Sequence, residues 1–552
     1  MNSSLNLLLK LCLPFLFYIQ TVSQKKKIIL LAYENDSKFL CSVQDQLTSI
    51  GHQVLIVESS ISTATKLSPI KSRSFIGIAS TLERFKNLLN SNIEMNTVYW
   101  ELSKIEKSIM STRKTFRQLL RTTPYLYDDH HTRKPYYNIP QDSVRAVFSL
   151  EIAKWFIDII DSYEPDLVFC LQGNYFVKQF AASISQKKGY LFRALAVSRV
   201  REYMTLLDEN FCPVFNAKPS IHSFDVARTI LSEARINPPS LSYKGWFNLR
   251  QDQAKTTSNI TIAFRELFSV FPRLFTSLQI RVISLLRRRI SRSKVSIYWF
   301  NSSFLKTTLF QISSSLKAFI VYALYHRIFV SLSELNDLRK NGFRFVIYPL
   351  HVLPESNTLS FSENYYEMDH IRHISSRLPM DSFLLVKENI QMIGFRELSF
   401  YYQIMKQGNV FLIDPSISPS ETFKLADSYI GISGTSLLEA LAGGCEYVSA
   451  YGSPEFKELI NSEYLGYCGV EKMISDFKLN RKPYSSSPLL VNYFANLVEL
   501  NIKFDHDSLN HAFHGFCHDS DAIAEMKMSV ADCICKCIDC PSVNTFTTYL
   551  RP

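Results

Sequence analysis

An α/β fold with two parallel-sheet domains facing a central cleft, a helical connector and C-terminal helices is the prediction for this 552-residue chain. Three observations carry it. The length is too great for one hydrophobic core. A hydrophobic content of 46% with 20% charged residues is ordinary for a folded α/β protein and excludes general disorder. Short apolar runs bounded by polar turns alternate with helix-like stretches in two separate series. That is the pattern of parallel sheets, whose binding sites lie at the carboxyl ends of the strands.

Residues 1–24 form a hydrophobic N-terminal segment. Its apolar run, Leu5 to Gln20, is interrupted by Lys10, has no basic residues before it and shows no clear cleavage pattern. It is also short for a spanning helix, which leaves a surface anchor, an uncleaved signal-anchor or a helix covering the first sheet. The first domain, 25–247, opens with "KKKIILLAYEND", a basic entry, a strand over Ile28–Ala32 and a polar turn. A helix to Ser49 and the strand "HQVLIVES" make this a Rossmann-like beginning. Later, "EPDLVFCLQGN" predicts another strand, followed by a helix over Tyr175–Lys187, Gly189 and the strand "YLFRAL".

From 248 to 341 the pattern becomes a basic, amphipathic helical connector, with Arg287, Arg288 and Arg289 in succession. It reads as a membrane-facing or acidic-acceptor surface, or as a connector with a solvated basic face. The second domain, 342–480, carries the strands "FRFVIYPL", "SFLLVKE", "NVFLI", "YIGI" and "EYVSAY" with four helix-like stretches between them. Residues after Lys457 read as irregular, and the closing segment, 481–552, as helical from about Leu489.

The formal charge of +11 favours anionic partners such as phosphates, nucleotide sugars, anionic glycans or a membrane face. Nucleic acid is not expected, since no matching module is present. Cysteines stand in apolar runs, as at Cys170 and Cys445, the usage of buried thiols in a reducing compartment. The tracts "HAFHGFCHDS" and "CICKCIDC" could bind zinc or merely pack along a helix, and no metal is assigned.

Four polar strand tips of the second domain converge on one sheet edge. They hold His351, Glu355, Ser356 and Asn357; then Lys387, Glu388 and Asn389; then Asp414, Ser416, Ser418 and Ser420; and last Ser433, Gly434 and Thr435. The Ser-Gly-Thr turn meets the N-terminus of the next helix, where unpaired N–H groups and the helix dipole suit an anion. Gly434 would let that anion approach the backbone. Glu439, one turn on, points away from Leu437, Leu438 and Leu441 and could accept from ribose hydroxyls; the alternative is a capped helix with a solvated glutamate.

The segments "YPLHVLPESNTL", "LPMDSFLLVKEN", "GFRELSFYYQI", "NVFLIDP" and "ADSYIGISGTSLLEALAGG" resemble bacterial capsular-polysaccharide biosynthesis proteins over about 110 residues, Tyr348 to Phe456. That family includes transferases that add Kdo from a CMP-activated donor, and its fold is the two-domain glycosyltransferase type called GT-B. The resemblance implies a glycosyltransferase that moves a sugar from a nucleotide-activated donor to a growing surface polysaccharide or its lipid-linked acceptor. It implies no metal and no cofactor beyond the donor, which is a substrate. It further implies a cytoplasmic protein, or one peripheral on the cytoplasmic face of the inner membrane.

Ser433, Gly434 and Thr435 would hold the donor phosphate, and Glu439 would address the ribose or base edge. Lys387 and Glu388 match a family segment that continues as His-Pro; here it reads Asn389-Ile390, and Asn supplies a hydrogen bond without charge. Arg396 would neutralise donor charge or bridge within its own helix. His351, Glu355 and Ser356 line the donor side, Glu355 also being a catalytic candidate. Glu34 and Asp36 are the base candidates, since acceptors in GT-B enzymes meet the first domain. Two alternatives stand beside transfer: a nucleotide-sugar 2-epimerase of the same fold, and a non-catalytic glycan-binding or assembly protein with a degenerate donor site.

Overall fold

The computed structural model describes residues 25–32, 36–59, 75–77, 94–109, 115–120, 142–171, 176–198, 200, 203–215, 218–236, 261, 268, 304–351, 366–432, 434–452, 456–457, 459–460, 462–481, 487–500, 530–531 and 534. The architecture is α/β with two Rossmann-like sheets, as the alternating pattern predicts. The first sheet is built from β1 (Lys27–Ala32), β2 (Gln53–Glu58), β3 (Phe75–Gly77), β4 (Leu167–Leu171), β5 (Leu191–Val197) and β6 (Met204–Leu207), in the order β3-β2-β1-β4-β5-β6. All its pairings are parallel except β5 with β6. Its layers include α1 (Asp36–Ser49), α2 (Met95–Ile109), α3 (Phe116–Leu120), α4 (Asp142–Tyr163) and α5 (Phe176–Lys188). Strand β1 is buried almost throughout, as a central parallel strand covered on both faces must be.

The second sheet joins β7 (Arg344–Pro349), β8 (Ser382–Lys387), β9 (Val410–Ile413), β10 (Ser428–Gly431) and β11 (Tyr447–Ala450), in the order β11-β10-β7-β8-β9. Every pairing is parallel. Counted from its own first strand, this is the 3-2-1-4-5 order that the first sheet also follows, so each sheet reverses direction between its first and fourth strands.

Helix α6 (Ile221–Ile236) follows β6 in sequence. Then come α7 (Phe304–Ala323), α8 (Tyr325–Ile328) and α9 (Leu332–Lys340), the described helices of the connector's second half. The crossovers of the second sheet are α10 (Glu367–Ser375), α11 (Leu398–Met405), α12 (Pro419–Leu425) and α13 (Thr435–Ala442), followed by α14 (Gly466–Lys478) and α15 (Ser487–Leu500). Several begin where the side chains dictate. Ser331 with Glu334, and Ser418 with Glu421, form reciprocal capping boxes, and Pro419 occupies the first turn of α12.

Helix α14 lies where the sequence reads as irregular. Its start holds Gly466, at φ +73°, and Gly469, where a Cβ would meet the Tyr464 carbonyl carbon at 2.3 Å. Gly469 is required by the approach to Tyr464 and Gly466 by its left-handed backbone, and both erase the apolar periodicity that marks a helix. The connector joins the second sheet directly: Val330 donates to Leu412 O (2.8 Å) and accepts from Asp414 N (3.1 Å), extending the β9 edge. Residues 1–24, Arg287–Arg289 and most of the C-terminal Cys/His tracts lie outside the described residues.

Candidate functional site

The reversal of strand order in the second sheet falls between β7 and β10, and in such sheets the crevice for a ligand opens at the carboxyl ends of those two strands. His351 leaves β7 there, Asn389 leaves β8, and Gly434 follows β10. Gly434 is the N-cap of α13 at φ +104°, and among the described residues no side chain caps the helix. Among the described residues nothing lies within 4 Å of where its Cβ would stand. The first turn of this eight-residue helix stands at the crevice with the positive end of the dipole behind it, and there Leu437 N donates back to Gly434 O at 3.3 Å.

The turn is set from beneath. Tyr429 is fully buried, its hydroxyl 2.7 Å from Ser436 Oγ in the first turn of α13. Its ring lies across Gly431, where a Cβ would meet Tyr429 Oη at 2.8 Å. Glu439 is 6% exposed, which excludes the solvated-glutamate alternative. Burial above all, with the Glu439 carboxylate nearby, pushes the Tyr429 hydroxyl well above its usual pKa.

The exits of β7 and β8 are locked together by a buried ion triad that the sequence does not announce. Arg396 lies between Glu367, in the first turn of α10, and Glu388, just past β8. Its Nη1 donates to Glu367 Oε2, its Nε lies 2.9 Å from Glu388 Oε2, and its Nη2 donates to His351 O at 2.8 Å. Glu367 Oε1 accepts from His351 N at 2.5 Å. Tyr401 Oη donates to Glu388 Oε2 (2.9 Å), and Asn389 N donates to Glu388 Oε1 (2.7 Å). Both backbone groups of His351 are thus held by opposite members of one ion pair. Burial works against the Arg396 charge, but Glu367 and Glu388 more than offset it and raise its pKa. Burial, reinforced by Arg396, lowers the His351 pKa to about 4, so its imidazole is neutral at neutral pH.

Lys387 closes β8 and donates to Ile417 O at 2.7 Å and to Pro415 O at 3.4 Å, fixing the loop after β9. Burial lowers its pKa to about 8 against the pull of Asp414 and Glu421. Asp414 Oδ1 accepts from Tyr325 Oη (2.6 Å) and from Ser416 N (2.7 Å), so the connector helix α8 also holds this tip. A second polar cluster borders the site: His370 stacks on Tyr451 at 3.8 Å between ring centroids, and its Nδ1 is 2.9 Å from Tyr348 Oη.

The structure thus gathers His351, Lys387, Glu388, Asn389, Arg396, Gly434, Thr435 and Glu439 along one edge of the second sheet. Within that group Glu388 and Arg396 are engaged with each other. Glu34, Glu355, Ser356 and Ser433 lie outside the described residues, and Asp36 is described only as the first residue of α1. Glu367, Tyr401 and Tyr429 are the members that sequence reasoning missed. Glu367 stands in "YYEMDH", where nothing in spacing ties it to Arg396, 29 residues away. Among the described residues no group of three or more His, Cys, Asp or Glu is placed to hold a metal.

No family model matches the sequence, and no curated protein matches it. Solved structures give remote likenesses. A UDP-GlcNAc 2-epimerase from Neisseria meningitidis, bound to UDP-GlcNAc, is 9% identical over 92% of this chain and 100% of its own, with a TM-score of 0.21. A UDP-GlcNAc 2-epimerase from Methanocaldococcus jannaschii, in complex with UDP-GlcNAc and UDP, is 8% identical over 86% of this chain and 99% of its own, at 0.22. Spinosyn rhamnosyltransferase, complexed with thymidine diphosphate, is 7% identical over 86% of this chain and 94% of its own, at 0.21. At such scores the likenesses carry no argument; the α/β architecture rests on the strand order itself.

Proposed function

We propose that the protein is a glycosyltransferase of GT-B type that binds a nucleotide-activated sugar at the carboxyl edge of its second sheet. One observation supports this above the rest: the N-terminus of α13, with Gly434 at φ +104° and no side-chain cap among the described residues, stands at the β7/β10 reversal point. A nucleotide phosphate there would accept from the backbone N–H groups of the first turn and from the hydroxyls of Ser433 and Thr435. Neutral His351, held through its backbone by Arg396 and Glu367, would present an uncharged imidazole to the sugar side. Such a group orients sugar hydroxyls without adding a charge of its own. The donor sugar, with a CMP-linked acidic sugar as the family-guided choice, and the polysaccharide or lipid-linked acceptor belong to the same reading.

Calorimetric titration of the full chain with UDP and CMP, followed by turnover assays with the cognate sugar nucleotides, tests it. Replacing Ser433 and Thr435 together by Ala should weaken nucleotide binding at least about tenfold, the loss of one or two charge-assisted hydrogen bonds. Equal affinity in the double variant removes the phosphate assignment. Epimerised sugar nucleotide as the product would favour the 2-epimerase, and oligosaccharide binding without any nucleotide affinity would favour an assembly protein.

A further inference from the structure

We propose that Ser436 is a further phosphate-binding residue of the nucleotide site and Tyr429 its positioning residue: the buried phenol donates to Ser436 Oγ, and the serine hydroxyl donates onward to a phosphate oxygen. Both roles rest on the nucleotide reading above. Tyr429 is fully buried in β10, and its Oη lies 2.7 Å from Ser436 Oγ. Among the described residues this is the one hydrogen bond of either side chain. A buried phenolic proton is costly to leave without an acceptor, so Tyr429 donates and Ser436 Oγ accepts. The phenol also keeps its proton, because burial, with the Glu439 carboxylate adding to it, holds its pKa well above the usual value.

The serine then holds a proton with no acceptor among the described residues, and its place on the helix decides where that proton can point. Ser436 is half-buried, whereas Glu439 and Ala440, three and four residues on along the same face of α13, are 6% and 0% exposed. That face packs inward, so the opening at Ser436 lies at the N-terminal end of the helix, where the crevice is. Tyr429 fixes the same placement from below: its Oη is 2.8 Å from where a Cβ of Gly431, the last residue of β10, would stand. Ser436 Oγ is therefore beside the strand exit rather than on the outer side of α13.

A hydroxyl that accepts a hydrogen bond becomes a better donor, because its own O–H is polarised in the same direction. The relay moves no proton; it aims a neutral donor at an anion held at the positive end of the helix dipole. Arg396 and Lys387, the cations gathered at this edge, are engaged elsewhere: Arg396 with Glu367 and Glu388, Lys387 with the Pro415 and Ile417 carbonyls. Neutral donors such as Ser436 therefore carry a larger share of the phosphate's binding.

Calorimetry of the full chain with CMP and UDP, and with cytidine and uridine as phosphate-free controls, is the test. S436A should weaken nucleotide binding about tenfold, the loss of one hydrogen bond to a charged acceptor. Y429F keeps the ring under Gly431 and should weaken binding about threefold by releasing the serine hydroxyl from its orientation. In the S436A background Y429F should have no further effect. Nucleoside affinity should stay at the wild-type value in all three variants. S436A places the best helix former at a half-buried position, so it reads the relay even where Y429F lowers stability. A wild type without affinity for either nucleotide overturns the nucleotide reading and the relay with it. Lost affinity in S433A/T435A with wild-type affinity in S436A overturns the relay and leaves the nucleotide reading standing. An undiminished Y429F effect in the S436A background, or equal losses for nucleotide and nucleoside, overturns the relay in favour of a purely structural contact.

Discussion

His351 shows how one residue's chemistry is set by groups remote in sequence. Its N–H and C=O are held by Glu367 and Arg396, and burial makes its imidazole a weak base. His370 is more extreme: it is fully buried, and burial, with His351 and His373 adding to it, lowers its pKa to about 3. In the unfolded chain both titrate near 6.5, so between that value and about 4 the unfolded state binds more protons than the folded one. Stability is therefore complete above about pH 6.5 and is lost as pH falls, by about 2 kcal/mol per histidine at pH 5. Urea unfolding between pH 7 and 5 should show this loss, and His370→Phe, which can keep a stacked contact with Tyr451, should flatten it. Parallel pH profiles for the two proteins would contradict the assignment.

At the scale of elements, α7 is what makes the connector part of the site. Gly394 sits at φ +89° in the loop carrying Arg396, and a Cβ there would stand 2.5 Å from Ser314 O and 2.8 Å from Ala318 Cβ, both on α7. Lys317 of α7 pairs with Glu397 at 2.6 Å. Helix and loop thus touch backbone to backbone, which only glycine allows. Gly394→Ala combines a left-handed backbone strain with overpacking and should cost on the order of 2 kcal/mol or more. Because the displaced loop holds the ion triad, hydrogen exchange at His351 N–H should accelerate together with the fall in the denaturation midpoint. A lower midpoint with unchanged exchange at His351 would separate the loop from the β7 exit.

At the scale of the molecule, sequence neighbours and core neighbours part company. Helix α6 lies within residues 25–247, yet Ala227, Ile230, Leu231 and Ala234 belong to the hydrophobic core of the second sheet, as do Val200 and Tyr203. Helix α15 lies beyond the last strand and completes the same core through Leu490, Tyr493, Phe494 and Leu497. Glu499→Ala removes the acceptor that fastens α6 to α15 and should lower stability by about 1 kcal/mol, the usual size of a lost helix cap. Amide exchange should rise at the first turn of α6 and stay unchanged at β1. Among the described residues no helix is long and apolar enough to cross a membrane.

The alternation of apolar strands with helices was legible because period and punctuation are local: β7 to β11 stand within about a residue of the runs that predict them. The antiparallel β6 and the three-residue β3 were not read as strands; three residues carry too little periodicity to separate β3 from a loop. The polar strand tips were legible as a group, because parallel strands place all their carboxyl ends on one edge. Which tip side chains stay available to a ligand was not legible. Glu388 and Arg396 look like ligand-binding residues in "VKEN" and "GFREL", but folding pairs them with each other and with Glu367 across 29 residues.

The sequence by itself determined two parallel α/β series, their strands, and a Ser-Gly-Thr turn ahead of an apolar helix, because local propensity and hydrophobic period act over a few residues. Tertiary structure alone decided that this turn stands at the β7/β10 reversal point, that Glu439 is buried, and that α6 serves the second core. Strand order and long-range ion pairing depend on which distant segments meet, and a buried charge takes whatever partner the completed fold brings within reach.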